Sequence, residues 1–86
     1  MMEEMYKNFS IGFHNRLKNT VNGKIRCTVD EKNDKLNIDI CRLGIQYNTS
    51  IENVSDIIKS GETAMEIAFD KVVKRYRSFI NHKYFY

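Results

Sequence analysis

The sequence contains no proline, no tryptophan, only two cysteines and four scattered glycines, and no apolar run approaches the length of a membrane span. The scattered glycines exclude a glycine-rich phosphate loop. The absence of proline, together with 42% hydrophobic residues, is typical of a folded domain and not of a disordered segment. At 86 residues the chain fits a single domain, 1–86, with one modest core.

The cysteines and histidines do not follow a metal-binding pattern. Cys27 and Cys41 are not in a CxxC arrangement, and His14 and His82 fall in different predicted helices. Strand alternation predicts that Cys27 points inward and Cys41 outward, which argues against a disulfide between them. We therefore expect reduced thiols, no metal and no cofactor.

The N-terminal residues lack the basic start and apolar run of a signal peptide. Together with the low cysteine content, this predicts a cytoplasmic protein that does not bind a membrane. Nothing in the sequence marks a nucleophile with a base and an orienting group, so we also expect that the protein is not an enzyme.

Charge is distributed unevenly along the chain. The net charge is +3 over residues 1–29, −5 over residues 30–70 and +5 over residues 71–86. Folding could bring the two basic ends together into one positive face that favours anionic partners. In the alternative interpretation the two ends lie apart as solvated surfaces.

Apolar periodicity predicts the first half of an α+β domain. Met5, Phe9, Phe13, Leu17 and Val21 recur every four residues, as expected for a helix over about residues 4–21. Alternation over 25–29 and 36–40 predicts an antiparallel hairpin. We expect its turn to centre on residues 33–34, with the first of them at positive φ. That register predicts three opposed pairs: Lys32 with Lys35, Val29 with Ile38, and Cys27 with Ile40.

Beyond residue 41 the alternation changes phase, because Leu43, Ile45 and Tyr47 are odd-numbered. Either a bulge at Gly44 or a tight turn into a third strand over about 45–48 would produce this change, and we expect the third strand. The predicted sheet is thus an antiparallel two- or three-stranded β-meander.

Two capping-box patterns predict two helices after the sheet. Thr49-Ser-Ile-Glu52 would begin a short helix over about 50–60, and Thr63-Ala-Met-Glu66 would begin a long C-terminal helix that ends near residue 82 and packs on the sheet. The predicted apolar stripe of the long helix comprises Met65, Phe69, Val72, Tyr76, Phe79 and Ile80.

The last sixteen residues hold five Lys/Arg, no acidic residue and five aromatics. Such a helix end can bind phosphates and stack on bases. It can equally complement the helix dipole and cover a core. The cations predicted to contact nucleic acid are Lys71, Lys74, Arg75, Arg77 and Lys83.

Other side chains are candidates for binding a protein partner. The acidic residues at the hairpin tip could imitate phosphates toward a basic groove: Asp30, Glu31 and Asp34. The terminal aromatics either fold back on the core or form an exposed binding patch: Tyr84, Phe85 and Tyr86. These aromatics or an open sheet edge could also form a symmetric homodimer. The polar sheet face is a further candidate: Arg26, Thr28, Asp30, Asn37 and Asp39.

Three stretches carry a resemblance to known proteins: Gly23-Lys-Ile-Arg-Cys-Thr-Val-Asp-Glu-Lys-Asn-Asp-Lys-Leu-Asn-Ile-Asp-Ile40, Ile57-Ile-Lys-Ser-Gly61 and Arg75-Tyr-Arg-Ser-Phe-Ile80. With them the chain resembles small uncharacterised proteins of phages and prophages of low-GC Gram-positive bacteria. Many such proteins block or redirect a host machine by docking on it, and anti-CRISPR and other anti-defence inhibitors are among them. The resemblance implies a non-enzymatic protein of the host cytoplasm that docks on a host protein or protein–nucleic-acid complex. Nucleic-acid binding by the basic, aromatic C-terminal helix is the alternative function.

Overall fold

A computed structural model describes the backbone of residues 2–85 and the side chains of residues 3–83. The elements are, in chain order, α1 (Met2–Thr20), β1 (Lys24–Asp30), β2 (Lys35–Arg42), β3 (Ile45–Glu52), α2 (Val54–Ser60) and α3 (Glu62–Phe85). The predicted α+β class and order of elements are confirmed. Within the described residues, none of the helices is both long enough and apolar enough to cross a membrane.

The strands form one antiparallel sheet in the order β1-β2-β3. A two-residue turn joins β2 to β3, with φ of 51° at Leu43 and 79° at Gly44. Two successive positive φ angles are those of a type I′ hairpin turn. The phase change in the sequence is therefore a tight turn and not a bulge, and the third strand extends beyond its predicted end to Glu52.

The register of the first hairpin differs by two residues from our prediction. Asp30 pairs with Lys35, so that four residues form the turn and Val29 opposes Leu36. The observed register replaces the predicted Lys–Lys pair with an acid–base pair. Because the register is shifted by an even number of residues, every residue predicted to point inward still does so. The positive φ lies at Asp34 and not at Asn33.

The short helix begins later than its predicted capping box. Residues 49–52 belong to β3, where Ile51 pairs with Leu36 and is buried in the core. Asn53, with φ of 56°, ends the strand, and α2 begins at Val54. The long helix begins at Glu62, where the backbone N–H of Met65 donates to the carbonyl of Gly61. Neither predicted threonine therefore begins a helix.

The core lies between one face of the sheet and the helices α1 and α3. The four-residue spacing predicted Met5 in this core, but Met5 is 48% exposed and Tyr6 is buried instead, because a helix repeats every 3.6 residues and the apolar face drifts. On α3, Val73 is buried in addition to the predicted stripe. Met65 and Phe79 of that stripe are only partly buried.

The two long helices run in the same direction on the inner face of the sheet. Phe13 of α1 packs edge-on against Phe69 of α3, with ring centroids 5.5 Å apart. Further along both helices, the hydroxyl of Tyr76 donates to the carbonyl oxygen of Asn22 at 3.3 Å. The helix N-termini therefore lie at one end of the molecule and the C-terminal halves at the other.

The opposite face of the sheet is polar. The predicted face residues lie there in cross-strand pairs, with Arg26 opposite Asp39 and Thr28 opposite Asn37. Among the described residues, no helix covers this face, since the buried residues of β2 all point to the other side. The sheet thus has one face in the core and one in solvent.

Replacing each of two glycines by alanine tests how closely the backbone and side chains pack around them. A Cβ on Gly23, where φ is 144°, would lie 2.9 Å from the carbonyl oxygen of Cys41, whereas a Cβ on the helical Gly12 would meet only the Met65 methyl at 3.7 Å. We expect Gly23→Ala to lower the free energy of unfolding by about 1–3 kcal/mol and Gly12→Ala to raise it by about 0.5–1 kcal/mol. Urea unfolding measures both changes, and a stabilised Gly23→Ala variant would contradict the close backbone approach.

Candidate docking groove

The predicted nucleic-acid cations do not form one surface. Lys71 and Arg75 line a groove beside β3, whereas Arg77 lines a separate cavity together with Arg42. The ammonium nitrogen of Lys83 lies 5.7 Å from the centroid of the Phe79 ring. Lys74 is exposed on the same helix. The structure therefore brings together only two of the five predicted cations in the groove.

The groove has a volume of about 790 Å³ and lies between β3 and α3. One wall is the strand segment 48–52 with Asn37 beside it. The other wall is a stripe on α3: Ala64, Ile67, Ala68, Lys71, Val72 and Arg75. These spacings of three and four residues place the stripe on one side of a helix. Ile57 of α2 lines the groove as well.

Side-chain size explains why a gap remains between the strand and the helix. Beyond the groove, the Tyr47 ring packs 4.9 Å from that of Phe79 and 5.8 Å from that of Tyr76, measured between centroids. Ala64 and Ala68 lie nearer the start of α3, where their small side chains do not reach β3 as the aromatic rings do. The helix is thus in contact with β3 near Tyr47 and leaves space beside residues 48–52.

Charge differs between the two ends of the groove. The strand and α3 run in opposite directions, because Tyr47 at the start of β3 contacts Phe79 late in α3. Glu52 therefore lies toward α2, while Lys71 and Arg75 lie further along the groove, and all three are exposed. An exposed apolar residue, Ile67 at 54%, lies between these charges.

Asp34, one of the acidic residues predicted to bind a partner, is hydrogen-bonded within the fold. Its carboxylate accepts from the Tyr6 hydroxyl at 2.6 Å, from the Ser55 backbone N–H at 2.9 Å and from the Ser55 hydroxyl at 2.7 Å. Its carbonyl oxygen accepts from the Val54 N–H at 3.1 Å. The bonds from Tyr6 and Ser55 lower the pKa of Asp34. The bond between the Tyr6 hydroxyl and the Asp34 carboxylate also raises the pKa of Tyr6.

The other two acidic residues lie at the surface of the hairpin tip. The Asp30 carboxylate accepts from the backbone N–H of Asn33 at 3.2 Å and from its side-chain amide at 2.8 Å, and these bonds lower the pKa of Asp30. Glu31 is exposed and lines a shallow cavity with Asp30 and Glu3. A test of phosphate mimicry is therefore cleaner at Glu31 than at Asp34, where charge reversal would disrupt the turn.

Two arginines line a cavity near the end of α1. Thr20 and Asn22 at the end of α1 line the same cavity as Arg42 and Arg77. The parallel helices place both C-terminal halves there, where the helix dipole favours cations. Because Thr20 and Asn22 are uncharged and Arg42 belongs to the acidic middle segment of the sequence, convergence of the two basic ends stays a prediction.

The cysteines have the orientations that alternation predicts. Cys27 is partly buried on the inner face, Cys41 is exposed on the outer face, and both are free thiols. Burial raises the pKa of the Cys27 thiol to about 11. Among the described residues, no group of three or more His, Cys, Asp or Glu is arranged to hold a metal ion.

The side chains of the terminal aromatics are not among those that the structure describes. The side chains of Tyr84 and Phe85, and the whole of Tyr86, lie outside the described residues. The predicted binding patch at this end therefore stays a prediction.

The sequence contained a signal for the groove that our motif search missed. Ala64 and Ala68 are four residues apart and continue into Lys71 and Arg75 on one side of the helix. Small side chains such as these two alanines leave room on a helix face, so that another protein segment can pack closely against it. The strand wall left no comparable signal, because residues 49–52 resemble a helix start.

Comparisons with known proteins add no relative. A scan against protein-family models, a search of curated proteins and a search of solved structures each found no match for this chain.

The contacts of Asp34 predict a pH dependence of stability. Because its pKa in the folded protein is lowered from an unfolded value of about 3.9, the carboxylate stabilises the fold fully above that value, and this contribution is lost as the pH falls through the folded-state pKa. We expect the urea midpoint of the wild type to fall more steeply than that of Asp34→Asn between about pH 5 and pH 2.

At neutral pH we expect Asp34→Asn to lower the Tm by about 5–10 °C, because the amide keeps an acceptor oxygen but loses the charge that strengthens the bonds from Tyr6 and Ser55. Glu31→Gln, at an exposed position in the same turn, is the control and should leave the Tm nearly unchanged. Parallel pH profiles for wild type and Asp34→Asn would show that the hydrogen bonds to Asp34 do not form in solution.

The two thiols provide an internal comparison of reactivity. At about pH 8 the Cys27 thiol is almost entirely protonated because its pKa is about 11, and the thiolate is the reactive form. We expect iodoacetamide to modify the exposed Cys41 much faster than Cys27, as mass spectrometry of Cys27→Ser and Cys41→Ser variants can measure. Equal rates would mean that the inner face of β1 is open to solvent.

Proposed function

We propose that this chain is a small non-enzymatic interaction protein that docks on a host protein through the groove between β3 and α3. The observation that carries the proposal is the groove itself, which combines a strand wall, apolar side chains and two exposed cations over about 790 Å³. Clefts that combine apolar lining with a few polar groups are preferred binding sites. We further propose a partner in the host cytoplasm and inhibition of host defence as the consequence, as the phage-like character expected from the sequence implies.

The ionisable groups support a non-enzymatic role. Strongly perturbed pKa values are a marker of catalytic sites, and among the described residues each group with a shifted pKa has a structural cause. Tyr6, Asp30 and Asp34 are shifted first by hydrogen bonds that build the hairpin turn and its contacts. Cys27 is shifted by burial against the core. The hydrogen bonds of Tyr6, Asp30 and Asp34 therefore belong to the structure of the hairpin turn and its contacts.

Direct nucleic-acid binding is the second candidate, favoured by the convergence of Arg42 and Arg77 at one end of the molecule. The aromatic residues that would stack on bases are engaged elsewhere in the described part of the chain. Tyr76 is buried at 3% exposure, and Phe79 packs on Tyr47. Within residues 3–83, whose side chains the structure describes, the cations would therefore supply mainly salt-dependent phosphate contacts.

Filling the groove should abolish docking. We expect Ala68→Trp to remove a host protein that the wild type captures from cell extract, because the indole would occupy the space beside Ile51. Asp70→Trp is the matched control, since residue 70 is exposed and lies on nearly the opposite side of the helix from residue 68. Ile67→Glu, at a position that is 54% exposed, provides a second groove variant that leaves the core intact.

Quantitative mass spectrometry of the captured proteins, with Tm measured for each variant, separates lost docking from lost folding. A partner retained equally by Ala68→Trp and Ile67→Glu would contradict the groove as docking surface. Fluorescence anisotropy with labelled single-stranded DNA, duplex DNA and RNA tests the second candidate. Tight binding that weakens steeply with salt and is lost on substitution of Arg42 and Arg77 would replace the proposed function with nucleic-acid binding.

A further inference from the structure

The two outer strands of the sheet are protected to different degrees. Exposed edges are normally blunted by charged residues, especially lysine, or by covering elements. Strand β1 has Lys24 and Arg26 along its length, and α1 packs closely against it. Strand β3 has eight residues without proline, and its only charged residue is the terminal Glu52. In the described part of the chain, the outer edge of β3 has no strand partner.

The groove lies along this unprotected edge. Alternate residues of an outer antiparallel strand direct their backbone N–H and C=O groups away from the sheet. The strand wall covers residues 48–52, about 17 Å of extended chain at 3.4 Å per residue. The helix wall opposite supplies the exposed Ile67 and the small Ala64 and Ala68. This combination suits an extended peptide that adds a strand and places alternate side chains against the helix.

Charge indicates which peptide fits. Lys71 and Arg75 favour carboxylates at their end of the groove, while Glu52 disfavours negative charge at the other. A polyanion with uniform charge, such as single-stranded nucleic acid, would be attracted by the two cations at one end of the groove and repelled by Glu52 at the other. A second copy of the chain, pairing its β3 antiparallel with this one, would bring only one carboxylate, that of its Glu52, toward the two cations. The charges therefore favour a segment that is acidic at one end only.

We propose that an extended segment of the partner protein, apolar or β-branched in its centre and acidic at one end, binds as a fourth strand on the outer edge of β3. Its carboxylates pair with Lys71 and Arg75, and its alternate side chains pack on Ile67 and the two alanines of α3. This inference rests on the proposed function, because it names the part of the partner that the groove binds.

A displayed library of random decapeptides, sorted on the intact protein, tests the sequence requirement. We expect the selected peptides to be enriched in Asp and Glu at one end and in β-branched residues at the centre. Anisotropy with a labelled selected peptide should show about tenfold weaker binding to the double variant Lys71→Glu/Arg75→Glu. The control Lys74→Glu/Arg77→Glu has the same net charge, alters exposed cations of the same helix outside the groove, and should bind nearly as the wild type does.

Amide hydrogen exchange with the bound peptide tests the strand. We expect the outward-facing amides of residues 48–52 to become protected. Binding without this protection, selection of peptides without acidic residues, or failure to select any peptide would overturn strand addition, while groove-dependent capture of a folded partner would still support the proposed function. Protection that grows with protein concentration in the absence of peptide, together with a dimer in light scattering, would show that a second copy occupies the edge.

Discussion

The hydrogen bonds to Asp34 join three parts of the fold that are distant in sequence. The residue lies in the first hairpin turn, yet it accepts from Tyr6 of α1 and from Val54 and Ser55 in the first turn of α2. These bonds satisfy N–H groups that every helix start leaves without an intrahelical partner. They also fix the direction in which the chain leaves β3. Because α3 begins directly after α2, Asp34 contributes to the position of the long helix, together with the packing of Phe69 on Phe13 and of Phe79 on Tyr47.

The parallel arrangement of the two long helices aligns their dipoles along the molecule. Their N-termini lie at the end that carries Glu3 and Glu31, and their C-terminal halves lie at the end that carries Arg42 and Arg77. Each end has the side-chain charge that stabilises the aligned helix dipoles. The charge pattern of the sequence therefore has a structural cause even where no partner is involved, and a functional interpretation requires additional evidence from a specific site.

Such evidence comes from the unequal way in which the helices cover the sheet. One outer strand is charged and closely covered by α1. The other meets α3 through Tyr47 and Phe79 but faces alanines beside residues 48–52. A single packing difference thus produces both an uncovered strand edge and a helix wall with apolar and basic side chains. Surfaces with these two properties are used for binding extended peptides.

The sequence by itself determined the α+β class, the order of elements, the inward orientation of Cys27 and most of the core, because apolar periods of 3.6 and 2 are local properties. Local patterns did not determine the hairpin register or the start of α2. Those were decided by Asp34, whose partners are distant along the chain, and by burial of Ile51 opposite Leu36. Likewise, Lys71 and Arg75 were recognised as exposed cations, but only tertiary packing placed them beside an unprotected strand. A groove is a gap between elements, and no local pattern of residues specifies the distance between two elements.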